Sequence, residues 1–116
     1  MKITRVGVVG AGAMGNGIAQ VSAVAGYNVV LQDMYDDAVS RAHATIEKSL
    51  GKFASKGKIS ESDRDAALSR IQYTTSLEDA CSDADIVIEA VYENRELKQD
   101  MFKKFEKLCK PEAILA

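Results

Sequence analysis

The residues able to do chemistry fall into a few groups along the chain. Gly10, Gly12 and Gly15 stand in the run Gly10-Ala11-Gly12-Ala13-Met14-Gly15, a Gly-X-Gly-X-X-Gly spacing. A carboxylate, Asp33, follows the loop after an apolar stretch. Lys48, Lys52 and Lys56 recur every fourth residue, and Glu93 and Lys98 bracket Asn94. The glycines point to phosphate chemistry. The first permits a tight turn, the second lets a pyrophosphate approach bare backbone, and the third lets a helix pack closely on a strand. The N–H groups of a following helix then meet the phosphates. Asp33 has the chemistry to accept hydrogen bonds from the adenosine ribose hydroxyls and to repel a 2′-phosphate. Met34, Tyr35, Asp36 and Asp37 come next, and no basic residue precedes Arg41 to neutralise such a phosphate. The expected cofactor is NAD rather than NADP.

Groups that would perform a bond-making step are scarce. His43 is the only histidine and sits on the edge of an apolar helical stripe, so it reads as packed or surface, not catalytic. Cys81 and Cys109 lack metal-site spacing and partners and read as buried or incidental thiols. No catalytic and no metal-ligating residue is expected here. The chain reads as a part that positions a cofactor.

The elements that must position these groups are legible in the hydrophobic periodicity. Ile3 to Val9 is a β-branched run of the kind found in a buried parallel strand. After the glycines, Met14, Ile18, Val21 and Ala25 recur at helical spacing and are expected to form the packed face of a helix that Gly26 caps. Tyr27 to Leu31 reads as a second strand, with Asp33 just past its end. The chain then continues as a helix from Asp36 to about Ser55, striped by Val39, Ala42, Ile46, Leu50 and Phe53. Gly57 breaks it, and Ser60 starts a second helix that runs to about Arg70, with Ala66, Ala67 and Leu68 as its apolar side.

This helical hairpin carries the lysine row away from its apolar stripe. Ser49 and Lys56, seven residues apart, lie on the flank between the two. The row is either a solvated charged face or an anion site for a phosphate-bearing substrate handle.

Ile71 to Thr75 reads as a third strand, Ser76 to Cys81 as a short capped helix, and Asp85 to Val91 as a fourth strand. Asn94 caps a last helix striped by Leu97, Met101, Phe105 and Leu108 and stopped by Pro111; Ala113 to Ala116 opens a fifth strand. The alternation predicts a three-layer α/β fold, a doubly wound parallel sheet in the order 3-2-1-4-5 with the hairpin inserted after the second strand. The ligand crevice lies at the switch point between the first and fourth strands. The glycine loop stands on one side of it and Ala90 to Glu93 on the other, beside the nicotinamide half. Lys98 is one turn past Asn94, within reach of the cofactor.

The bulk composition excludes other classes. The chain has 116 residues, 47% hydrophobic and 28% charged, which suits one small globular core. A formal net charge of −2 gives no support to nucleic-acid binding. Polar and charged residues interrupt every apolar run before it reaches membrane-spanning length, and no signal-peptide pattern opens the chain, so the expected compartment is the cytoplasm.

Taken together, Gly10-Ala11-Gly12-Ala13-Met14-Gly15-Asn16-Gly17-Ile18-Ala19, Asp33, the lysine-bearing hairpin, Asp85-Ile86-Val87-Ile88-Glu89-Ala90-Val91-Tyr92-Glu93 and Leu97-Lys98 closely resemble the N-terminal part of the 3-hydroxyacyl-CoA dehydrogenases, with the bacterial 3-hydroxybutyryl-CoA enzymes nearest. The resemblance spans essentially the whole chain. It implies a Rossmann-type NAD-binding domain over residues 1–116, interrupted near the fifth strand, with the helical domain that closes the cleft and forms a homo-oligomer lying outside it. It implies that Gly10, Ala11, Gly12, Ala13, Met14 and Gly15 form the pyrophosphate loop, that Asp33 is the ribose carboxylate and that Glu93 and Lys98 contact NAD. Ser49 and Lys56 match positions that contact coenzyme A, which makes an acyl-CoA the expected substrate. The catalytic histidine and its glutamate partner in the family come after the fifth strand, so these residues alone are expected to be inactive. Two alternatives are a gulonate- or hydroxyisobutyrate-type NAD dehydrogenase, which has no coenzyme A handle to bind, and a non-catalytic nucleotide-sensing module.

Overall fold

The computed structural model describes residues 2–91 and 95–116, and of residues 95–98 only the backbone. Strand β1 (Arg5–Val9) leads through the glycine loop into helix α1 (Ala13–Val24), and β2 (Asn28–Gln32) follows. Helices α2 (Asp36–Ser55) and α3 (Glu61–Ser69) form the inserted hairpin. Then come β3 (Ile71–Thr74), α4 (Leu77–Cys81), β4 (Ile86–Glu89), α5 (Arg95–Leu108) and β5 (Ile114–Leu115). The five strands are parallel and ordered β3-β2-β1-β4-β5, as the sequence predicts. Val8 pairs with Leu31 on one side and Ile88 on the other, so β1 is the centre of the sheet.

Local chemistry sets the boundaries. Gly26 takes φ +105° after α1, a conformation a side chain would disfavour, and its N–H donates to Ala23 O at 3.1 Å. Ser60 and Ser76 cap α3 and α4, each hydroxyl accepting from the backbone N–H three residues on. Four strands are one to three residues shorter than the sequence runs suggest, while β2 keeps its five residues and is shifted by one toward Gln32.

The helix–sheet contacts correct one expectation. The buried residues of α1 are Gly15, Ala19 and Ala23, not the Met14, Val21 and Ala25 of the larger apolar stripe. Met14 and Val21 are 60% and 70% exposed, and Ile18 is half-buried. Small residues win this face because the helix lies close to the strands. A Cβ on Gly15 would come to 1.7 Å from Gly10 O. On α2, Ala42, Ile46 and Leu50 are buried as expected, but Phe53 at the end of the stripe is partly exposed beneath the Lys58 ammonium, 5.8 Å from its ring centre.

One core joins β1 and β2 to α1, α2 and α3. The other lies on the opposite face of the sheet, where Val9 and Val87 pack with Met101 and Phe105 of α5 and Ala80 and Cys81 of α4. Gly7, unremarked in the sequence pattern, admits α4 there, since its Cβ would stand 2.2 Å from Ala80 O.

Candidate dinucleotide site

The C-terminal ends of β1, β2 and β4 open into a cleft of about 1490 Å³. Its rim begins at Gly10, whose φ of +108° turns the chain sharply out of β1. Gly10 N–H donates to Gln32 O at 2.7 Å and Ala90 N–H to Val9 O at 2.7 Å, which fixes the loop to both neighbouring strands. No side chain caps α1, and Gly12, Ala13 and Met14 at its start line the cleft. A Cβ on Gly12 would meet nothing within 4 Å. The space above Gly12 is therefore open, while Gly10 and Gly15 are closed in by backbone. Gly12 is thus open to the cleft, whereas Gly10 and Gly15 serve the packing of the turn.

Asp33 lies at the mouth of the cleft. Its Oδ2 accepts from Ala11 N–H at 3.0 Å and its Oδ1 from Tyr35 N–H at 3.1 Å. Each oxygen keeps a lone pair for a further donor, as a ribose hydroxyl would be. Asn16 also lines the cleft, and its Oδ1 is buried without a hydrogen-bond partner among the described residues. An open approach over Gly12, uncapped helix N–H groups, a carboxylate at the end of β2 and an orphaned amide oxygen suit a dinucleotide.

The cleft extends along α2, where Ser49 lines it and Ser49 Oγ accepts from Gln20 Nε2 of α1 at 3.0 Å. Lys56, the residue that closes the C-terminal end of α2, is exposed and is not part of the cleft wall. The structure thus brings the glycine loop, Asp33 and Ser49 into one cleft and leaves Lys56 at its margin. Glu93 lies outside the described residues. Lys98 falls in the first turns of α5, with its side chain outside them. Arg41, Thr45 and Lys104 also line the cleft and carried no signal in the sequence, because their place depends on how α2 and α5 dock.

His43 is a surface group. Its Nε2 lies 2.6 Å from Glu47 Oε1 and its ring stacks on Tyr73 at 4.4 Å between centroids, away from the cleft lining. Burial, and then Glu47, push the Tyr73 hydroxyl up to about 12. Cys81 is fully buried, and burial followed by the neighbouring Cys109 thiol raises it to about 12, which suits an inert core thiol. Among the described residues no group of His, Cys, Asp or Glu could hold a metal ion, and no helix is long and apolar enough to cross a membrane.

Residues 5–116 match the family model described as 3-hydroxyacyl-CoA dehydrogenase, NAD binding domain. The chain belongs to this family. A probable 3-hydroxybutyryl-CoA dehydrogenase of Deinococcus radiodurans is 47% identical over 110 residues, covering 95% of this chain and 39% of that protein. A counterpart in Bacillus subtilis is 41% identical over 116 residues, covering 100% of this chain and 40% of that protein. The crystal structure of (S)-3-hydroxybutyryl-CoA dehydrogenase from Ralstonia eutropha superposes with a TM-score of 0.92 at 45% identity, over 98% of this chain and 40% of that one. The chain therefore spans about 40% of the length of the relatives it matches. As a member of the NAD-binding domain family it takes NAD as its cofactor.

Proposed function

We propose that these residues are the cofactor-holding part of an NAD-dependent 3-hydroxyacyl-CoA dehydrogenase whose substrate is a 3-hydroxybutyryl-CoA or a close homologue. The observation that carries the reading is the single cleft that joins the dinucleotide loop to Ser49 on the inserted hairpin. A gulonate- or hydroxyisobutyrate-type dehydrogenase has no use for such an extension, and a bare nucleotide sensor needs only the loop.

NAD, when bound, supplies the hydride acceptor or donor at its nicotinamide. The residues here bind and orient it: Gly10 to Gly15 take the pyrophosphate, Asp33 takes the adenosine ribose, and Glu93 and Lys98 match family positions that contact NAD. Ser49 and Lys56 take the coenzyme A handle. The hydroxyl proton of the substrate needs a positioned base, a contribution of roughly 10²–10⁴-fold. His43 is committed to Glu47 and Tyr73 on the outside of α2 and does not supply it. The base, the partner that orients it and the helical domain that closes the cleft and pairs the subunits belong to the remainder of a longer, cytoplasmic enzyme. The test is NADH oxidation by the intact enzyme with acetoacetyl-CoA, beside NAD reduction with 3-hydroxyisobutyrate. Turnover of the first alone is expected. Turnover of the second alone, or of neither, overturns the reading.

A further inference from the structure

We infer that Cys109 and Cys81 form an oxidation site, at which a hydroperoxide oxidises Cys109 and Cys81 resolves the product to a reversible disulfide. The site lies on the face of the sheet opposite the inserted hairpin, and neither cysteine lines the cleft. It is independent of the substrate the enzyme turns over.

Cys81 is the last residue of α4. Cys109 follows the last turn of α5, and its N–H donates to Phe105 O at 2.8 Å. Both pack in the core that Val9, Val87 and Phe105 fill on that face. They are the only cysteines of the chain, and β4 and α5 separate them in sequence. The fold nevertheless sets them together, with the Cys81 S–H donating to Cys109 Sγ. Both chain segments are fastened there. Ser82 N–H donates to Glu78 O at 2.9 Å, and Lys110 Nζ donates to the Asp85 carboxylate.

The two thiols are chemically unequal. Cys81 is fully buried, whereas Cys109 is partly exposed and is the sulfur that an oxidant in water reaches. The hydrogen bond between them favours the thiol at Cys81 and the thiolate at Cys109. Burial still raises Cys109 above an ordinary thiol, so its oxidation is slow and calls for sustained peroxide. The Cys109 thiolate attacks one peroxide oxygen and the O–O bond breaks. Cys109 becomes a sulfenic acid, and the other oxygen leaves with the thiol proton as water. Cys81 then attacks the oxidised sulfur, the S–O bond breaks, and the hydroxyl leaves with the Cys81 proton as a second water. Two thiols and one hydrogen peroxide thus give one disulfide and two waters; sulfur is oxidised and peroxide oxygen reduced. Cys81 is inert toward solvent but touches the one sulfur it must attack. The disulfide stops Cys109 short of the irreversible sulfinic acid, and a thiol reductant restores both residues. The closed loop carries Ala90, Val91, Met101 and Lys104 of the cleft wall, so oxidation fastens that wall to α4.

The experiment treats the reduced intact enzyme with hydrogen peroxide and reads it by peptide mass spectrometry, beside Cys81→Ala and Cys109→Ser. Thermal unfolding before oxidation establishes that each variant is folded. In the parent, the peptides carrying residues 81 and 109 should join with the loss of two hydrogens, and dithiothreitol should release them. In Cys81→Ala, dimedone should trap Cys109 as the sulfenic acid, and without dimedone Cys109 should pass on to sulfinic acid. In Cys109→Ser, Cys81 should remain a free thiol. No cross-link in the parent, a link from Cys109 to a different cysteine of the intact enzyme, or oxidation of Cys81 in Cys109→Ser each overturns the assignment. Where a variant does not fold, the presence or absence of the cross-link in the parent decides.

Discussion

The two arms of the cleft are built by different means. At the glycine loop the geometry is set by backbone: Gly10 and Gly15 are enclosed by main-chain atoms, and the loop is tied to β2 and β4 through Gln32 O and Val9. Along α2 the wall is made of side chains, and a Gln20–Ser49 hydrogen bond ties it to α1. The first arm is rigid because an atom added at Gly10 or Gly15 collides with main chain that cannot move. The second is adjustable, because a changed side chain on an exposed helical face leaves the helix in place. A cofactor common to a family fits the first kind of site, and a substrate handle fits the second.

The sharpest break in this contrast is Gly15→Ala against Gly12→Ala. The Cβ at position 15 would overlap Gly10 O, so the helix must move off the strand at a cost of about 3 kcal/mol or more, with NAD binding lost as well. At position 12 the Cβ is unopposed, and thermal stability should change by about 1 kcal/mol or less while NAD affinity falls. Thermal unfolding and NAD titration by calorimetry separate the two. Equal loss of stability in both variants would mean that the loop is no more rigid at one glycine than the other.

Asp33→Ala is next in size. It removes a carboxylate that holds two backbone N–H groups and lines the cleft. NAD should bind roughly 10- to 100-fold more weakly, from about 1.5–3 kcal/mol of charged hydrogen bonding, and the preference over NADP should narrow. Equal affinities for NAD and NADP before substitution would remove Asp33 from its role.

Asp85 is a control at the other end of the sheet. Its buried carboxylate accepts from Lys110 Nζ, from Thr4 N–H at 2.9 Å and from Arg5 N–H at 3.0 Å, and these partners, Lys110 first, hold it well below the usual carboxylate range. A group whose folded pKa is depressed adds stability above its unfolded value of about 3.9, and that stability is lost as pH falls toward the folded value. Acid titration should therefore destabilise the parent progressively below about pH 4, and Asp85→Asn should flatten this limb while NAD affinity at neutral pH stays the same. An unaltered acid limb in the variant would show that the ion pair adds nothing to folding.

Ser49→Ala should have the smallest effect. Losing the bond from Gln20 costs about 0.5–1.5 kcal/mol of stability and leaves NAD binding within error of the parent. A large drop in NAD affinity would join the two arms into one site and dissolve the distinction between them.

The sequence by itself determined the parallel sheet, its order, the inserted hairpin and the cofactor class. Each follows from local rules: β-branched runs for strands, 3.6-residue periodicity for helices, and a loop whose glycines are demanded by backbone sterics. Gly10, Gly15 and Asp33 were legible because their roles are played by the chain within a few residues of the turn they make or, for Asp33, at the end of the strand beside it. The packed face of α1 was not legible. Met14 and Val21 are the larger hydrophobes, yet the strand lies too close for them, and only Gly15, Ala19 and Ala23 fit. Nor could the sequence say which cation of α2 faces the cleft. On the wheel Arg41 and the lysine row share one broad face, which does not say how far along the helix the cleft reaches. That was decided by the docking of Ala42, Ile46 and Leu50 into the core, a tertiary contact that sets Arg41, Thr45 and Ser49 along the cleft, while the lysines of the same broad face do not line it.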